Sequence, residues 1–141
     1  MREVALAVIF KDHKYLLQLR DNTTAIDYPN HWSFFGGGIA PGENPWQALQ
    51  RELEEELEWR PAHRIFLYHC INSEIPCRLH FFAVPFNGNK QHLVLHEGQK
   101  MEWFALQELQ HLDSLEFQVG QYLIRTIRSA TLQTAILNTG T

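Results

Sequence analysis

Cysteine is scarce in this chain. Two residues, Cys70 and Cys77, occur in 141 with no CxxC pair, so buried free thiols are expected rather than a disulfide framework or a zinc site. No apolar run approaches the ~20 residues of a membrane-spanning helix. The N-terminal MREVALAVIFKDHK has an apolar part too short, and too soon followed by charge, for a signal peptide. No Lys/Arg-rich run is present and the formal net charge is -4, which argues against a general nucleic-acid-binding surface. The eight histidines show no HExxH or other ligand spacing and read as surface or satisfied core residues, with His96 the one to watch. Ser and Thr show no nucleophile-elbow pattern, which disfavours acyl transfer. Internal repeats and low-complexity segments are also lacking. These absences point to a cytoplasmic protein of one domain, residues 1–141, whose 45% apolar content suffices for a real core.

What is present is concentrated between Gly37 and Trp59, GGIAPGENPWQALQRELEEELEW. Asn44 is a good N-cap, Pro45 suits the first helical position, and Gln47 completes a capping box with Asn44. The spacing therefore predicts a helix from about Pro45. Trp46, Leu49, Leu53 and Leu57 recur at helical spacing and define its buried stripe. Glu52, Glu55 and Glu56, at i, i+3 and i+4, share a face beside that stripe, bordering the core, and their oxygens can converge on one point. Arg51, Glu54 and Glu58 point elsewhere. Like charges at this spacing repel by a few tenths of a kcal/mol per pair. A purely structural helix would gain by spreading them, so something positive belongs between them. Hard divalent cations such as Mg²⁺ are held by carboxylate oxygens.

The run Gly37, Glu43, Arg51-Glu52-Leu53, Glu55-Glu56 and Glu58-Trp59 resembles the signature of the Nudix hydrolases, G-x5-E-x7-R-E-U-x-E-E-x-G-U, where U is a bulky apolar residue. Only Glu58 departs from it, standing where the family has Gly. That Gly serves as the left-handed residue past the helix end, where a Cβ costs roughly 1 kcal/mol. The departure is thus a stability matter, with the helix running a residue further before Pro61 ends it. The flanks VALAVIFKDHKYLLQLR, HWSFFGGG and HEGQKMEWFAL are also similar to the family's.

The resemblance implies hydrolysis of a pyrophosphate linkage in a nucleoside diphosphate derivative bound as a small molecule, with Mg²⁺ or Mn²⁺ as cofactor. It implies metal ligation by Glu52, Glu55, Glu56 and a backbone carbonyl at Gly36 or Gly37. Gly36, Gly37 and Gly38 form a turn that is either merely flexible or, before a capped helix with clustered acids, open to phosphates. Glu52 leads as general base and Glu97, in a loop, is the alternative; a solvated loop carboxylate is an equal reading of Glu97. Arg51 joins this catalytic set through the acids its guanidinium fork can hold, Glu52 or Glu43. Glu43 braces the turn, pairs with Arg51 or binds a further metal, the bracing role being favoured.

The short chain favours a (d)NTP or nucleotide sugar over ADP-ribose or a dinucleoside polyphosphate. Pro76 stands near a proline associated with ADP-ribose enzymes, but turn prolines are common. Tyr28, Trp32, Phe34 and Phe35 could stack on a base, although core packing accounts for at least half of them. A Nudix-like domain can also serve as a nucleotide sensor without turnover, and a homodimer is common in the family.

Elsewhere VALAVIF and KYLLQLR read as strands joined by KDH, and 64–72 and 77–86 as strands flanking a turn at 73–76. Asn87-Gly88-Asn89 marks a turn. A strand near Met101 to Ala105 precedes a short helix at 107–112, and 117–136 reads as a terminal helix packing through Val119, Tyr122, Leu123, Ile127 and Ala130. The expected fold is α/β, with a mixed sheet between helices in the Nudix α/β/α sandwich.

Overall fold

The computed structural model describes residues 1–109, 111–112, 121–122 and 125–139. In chain order these hold β1 (Arg2–Lys11), β2 (Lys14–Leu19), β3 (Trp32–Ser33), β4 (Phe35–Gly38), α1 (Pro45–Leu57), β5 (Ile65–Asn72), β6 (Cys77–Pro85), β7 (Lys100–Ala105), α2 (Leu106–Leu109) and α3 (Ala130–Thr139). The β1–β2 turn is Asp12-His13, with φ of 52° and 61°. Two left-handed residues are what a two-residue hairpin between right-twisted strands requires.

β1 organises the sheet. Along one edge it runs parallel to β6, from Arg2 opposite Cys77 to Phe10 opposite Pro85, the pairing that makes the sheet mixed. Its other edge is divided: β2 takes Ile9 to Lys11, and β4 takes Val4 to Ala7. β5 completes one side on β6, while β3 and β7 flank β2. Alternation then sorts the side chains to two faces. Ala5, Ala7 and Ile9 pack with Leu49, Leu53 and Leu57 of α1. Val8, Phe10, Leu17 and Phe81 pack with Ile127, Leu132 and Ile136 from the C-terminal segment. A mixed sheet between helices is the α/β sandwich expected.

Two expectations change. The glycines are strand, not turn: Gly36 to Gly38 pair with Leu6 to Val4. The terminal helix is not continuous, because residues 125–127 are helical, 128 is a turn and α3 starts afresh at Ala130. Ser129 causes the restart, its Oγ accepting the Leu132 N–H at 3.1 Å in the manner of an N-cap. Val119 and Leu123 lie outside the described residues, as do 113–116 and Gln110 of the predicted helix at 107–112. Tyr122 is half-buried and Ile127 buried, as the periodicity predicts.

Candidate active site

The capping box forms as read. Asn44 accepts the Gln47 N–H at 2.8 Å and the Gln47 side chain accepts the Asn44 N–H at 3.0 Å. Full burial of Leu49, Leu53 and Leu57 then fixes the rotation of α1, and with it the direction of each acid. The helix ends at Leu57 rather than one residue later. Glu58 itself adopts the left-handed conformation, φ 54° and ψ 37°, its N–H bonded to Glu54 O. Its carboxylate meets His96 Nε2, a partner that a Gly would lack. Glu58→Gly should relieve about 1 kcal/mol of backbone strain and lose an exposed pair worth about as little. Its melting temperature should stay within a few degrees of wild type and its rate within about twofold; a tenfold rate loss would show that Glu58 acts through the His96 segment.

The acids do not converge as the spacing suggested. Among the described residues no three carboxylate, imidazole or thiol groups are gathered about one point. Arg51 is the reason, because its long side chain turns back among the acids instead of pointing away from them. It grips Glu43 with two bonds of 2.8 and 2.9 Å, reaches Glu52 at 2.9 Å and Glu55 at 3.5 Å, and donates to Gly38 O at 3.1 Å. Like charges spread onto a cation where one is offered, and a bidentate fork holds them in a fixed plane. Glu55, its side chain 60% exposed, is held most loosely.

Glu43 braces the segment before the helix, its Oε1 also accepting the Ala40 N–H at 2.8 Å. Arg51 first, then the Ala40 N–H, holds its pKa down to about 2. An acid pKa depressed by folding adds stability above its unfolded value, which is lost as pH falls through the folded one. Glu43→Gln should therefore melt below wild type above pH 4.5, the difference shrinking to nothing near pH 2; thermal melts of both proteins across that range check it.

Glu56 corrects the reading that all three acids merely border the core. It is 3% exposed; neither carboxyl oxygen has a partner at full hydrogen-bond geometry, although the Glu97 carboxyl and the Gly36 backbone lie close enough to bear on its charge. Burial foremost, then the neighbouring Glu97 and the charge of Glu52, pushes its pKa up to about 10. Glu52, partly buried, is raised too, by burial against the opposing pull of Arg51. A buried carboxyl with idle oxygens is costly unless something charged meets it.

The glycine strand explains how Glu52 reaches open space. A Cβ on Gly37 would stand 2.5 Å from the Glu52 carboxyl carbon, and one on Gly36, φ 143°, only 2.0 Å from Ala5 O. The glycines thus permit close packing of β4 on β1 and leave room for Glu52 beside it. Past them lies a cavity of about 350 Å³, walled by Phe34, Leu79 and Phe81 and reached by Gly36, Gly37, Gly38, Glu52 and Glu97. Of the four aromatics considered for stacking, Tyr28 and Phe34 line this cavity, while Trp32 packs edge-on against Phe104 and Phe35 is fully buried.

Glu97 arrives on a segment pinned at both ends. His96 N–H bonds Glu56 O at 2.8 Å and Val94 N–H bonds Leu57 O at 3.2 Å, while Gln99 N–H bonds Leu19 O at 2.8 Å. Gly98, φ 81°, passes so close that a Cβ would come 2.8 Å from Leu19 O. Glu97 is exposed but stands at the cavity beside Glu52 and Glu56, not free in solvent.

The family model described as NUDIX domain matches residues 1–124. The chain belongs to the Nudix hydrolase family. This Nudix hydrolase is 35% identical over 116 residues to "CTP pyrophosphohydrolase" of Escherichia coli, covering 77% of this chain and 78% of that protein. It is 36% identical over 90 residues to "RNA pyrophosphohydrolase" of Psychromonas ingrahamii, covering 62% of this chain and spanning less than half, 46%, of that relative. The solution structure of the E. coli ORF135 protein superimposes with a TM-score of 0.65 at 30% identity, covering 92% of this chain and 94% of that one. The Nudix family uses divalent metal cations, which suits a platform of carboxylates with idle buried oxygens.

Some cavity residues of this Nudix hydrolase escaped the sequence reading: Arg2, Arg20, Asp27, Asn72 and Tyr122. None belongs to a spaced motif. Only the strand pairing, Arg2 opposite Cys77 and Asn72 opposite Cys77, brings Arg2 and Asn72 into one row.

Proposed function

We propose that this chain hydrolyses a nucleoside triphosphate to the monophosphate and pyrophosphate, with Mg²⁺ or Mn²⁺ as cofactor. The observation that carries the reading is the buried, unpartnered Glu56 carboxyl next to Glu52 and Glu97, the two acids at the glycine-lined end of a cavity. Glu52, Glu56 and a carbonyl of the glycine strand would hold the cation, with Glu55 within reach once its loose bond to Arg51 is given up. When bound, the cation neutralises phosphate charge and lowers the pKa of an attacking water. Arg51 and Glu43 hold Glu52 in place. Glu52, its affinity for a proton raised by burial, takes the proton as the water oxygen bonds to phosphorus. The phosphorus–oxygen bond to pyrophosphate breaks and the leaving group keeps the electron pair. Glu97 is the alternative base.

Between the two favoured substrate classes, the names of the relatives support a triphosphate over a nucleotide sugar. The formal net charge of -4 supports a free nucleotide over an RNA end. The test is turnover with Mg²⁺ or Mn²⁺ on a panel of nucleoside triphosphates, a nucleotide sugar, ADP-ribose, a dinucleoside polyphosphate and a 5′-triphosphorylated RNA, with products identified. A nucleoside triphosphate should give monophosphate and pyrophosphate at least tenfold faster than any other member of the panel is hydrolysed to its own products. Binding without turnover would instead favour the nucleotide-sensing reading.

A further inference from the structure

We propose that Asn72 reads the base of the nucleotide, donating its side-chain NH₂ to the Watson–Crick ring nitrogen and so favouring cytosine and adenine, in which that nitrogen is a bare acceptor. The inference rests on the function proposed above and names the substrate class more closely. Asn72 is the last residue of β5 and is 5% exposed. Its Oδ1 accepts the backbone N–H groups of Glu74 at 3.0 Å and Ile75 at 3.4 Å. A backbone N–H only donates, so the amide cannot be turned over without opposing donor to donor. Its NH₂ is therefore fixed as the group left over, with no acceptor among the described residues. Asn72 lines the cavity next to Ile75, Cys77 and Leu79. That NH₂ opens on the cavity instead of being sealed in the protein, so a ligand acceptor would replace water at a donor of fixed orientation.

The place in the sheet selects the base rather than the phosphates. Asn72 pairs with Cys77, Cys77 with Arg2, and β1 then with β4. Three strand spacings of about 4.8 Å, and the two to four residues of β1 between Arg2 and the partners of the glycines, put Asn72 roughly 16–20 Å from Gly38 to Gly36. A nucleotide whose phosphates lie at Glu52, Glu97 and the glycines spans that gap with its sugar and base. The edge that arrives last is the one away from the sugar, the Watson–Crick edge. Phe34 and Phe81, edge to face at 5.7 Å, supply the apolar wall along the way.

Asn72→Asp tests this, because a carboxylate keeps the acceptor for Glu74 and Ile75 while replacing the NH₂ donor by an oxygen of the same size. Affinities of CTP, UTP, ATP and GTP analogues, with both bridging oxygens replaced by CH₂ or NH, would be measured by calorimetry with Mg²⁺ on wild type and variant, beside melting temperatures. In uracil and guanine the ring nitrogen carries a hydrogen that a carboxylate accepts. The variant should shift both the C:U and the A:G affinity ratio at least tenfold towards the N–H base, with a cooperative melt retained. Equal changes for all four, no change, or no binding by wild type would overturn the proposal. Because binding is read without turnover, absence of hydrolysis by wild type would sink the proposed function and leave these ratios to judge Asn72.

Discussion

Glu56→Gln should abolish turnover and at the same time raise the melting temperature of the protein. The two effects have one cause. Glu56 is 3% exposed with both oxygens idle, an arrangement that serves a ligand and burdens the fold. Its pKa rises from 4.5 to about 10 on folding. For an acid raised in this way the contribution to stability is complete below the unfolded pKa and is lost as pH climbs through the folded one. Gln cannot ionise, so the variant should match wild type below pH 4.5 and exceed it progressively up to about pH 10. At pH 8 the gain should be several degrees, each kcal/mol being worth roughly 2–5 °C for a chain of this size. The rate should fall at least ~10²-fold, the scale seen when a group that stabilises transition-state charge is removed. Paired melts from pH 4 to 9, with rates at saturating Mg²⁺, check both halves; near-wild-type turnover would remove Glu56 from the metal platform.

Gly37→Ala and Gly36→Ala should fail in opposite ways although they are neighbours. A methyl at Gly37 stands 2.5 to 2.7 Å from the Glu52 carboxyl atoms. A carboxyl at the end of a flexible side chain can move aside, so the fold should survive while Glu52 loses its bond to Arg51 and its place at the cavity. The expected loss is about 10²-fold in kcat with a change in melting temperature of a few degrees at most. At Gly36 the methyl would lie 2.0 Å from Ala5 O and 2.9 Å from the Leu6 Cα, at φ 143°. Backbone cannot step aside without unzipping β4 from β1, and no L side chain suits that φ. Gly36→Ala should be recovered poorly or melt far below wild type. If Gly37→Ala lost stability as severely, β4 would need both glycines for packing and its role at the site would fall.

These contrasts mark what the sequence made legible. Local rules sufficed for α1, since Asn44, Pro45, Gln47 and the leucine stripe each act within one or two turns. They sufficed for the hairpin of β1 and β2 as well, because alternation and a two-residue turn are local. The acids could be placed along one helix by their spacing, but their surroundings could not. Burial of Glu56 depends on β4 and on the segment carrying Glu97, which are far away in sequence. Arg51 was assigned by its Cα direction, whereas its long side chain reaches back across the helix surface to Glu43. The glycines looked like a turn because Gly is common in turns; their strand geometry follows from the close approach of Ala5, which no local pattern reveals. Asn72 carried no signal beyond preceding the turn at 73–76, its role arising from the row of strands that brings it to the cavity.

A platform of Glu52, Glu56 and the glycine strand, as proposed, should take up a divalent cation by itself. A titration of Mn²⁺ against wild type and Glu56→Gln, followed by the electron paramagnetic resonance of unbound Mn²⁺, tests it without substrate or turnover. Wild type should bind Mn²⁺ saturably, and Glu56→Gln should lose affinity at least tenfold while melting at a higher temperature. Equal affinity in the two proteins would contradict that platform.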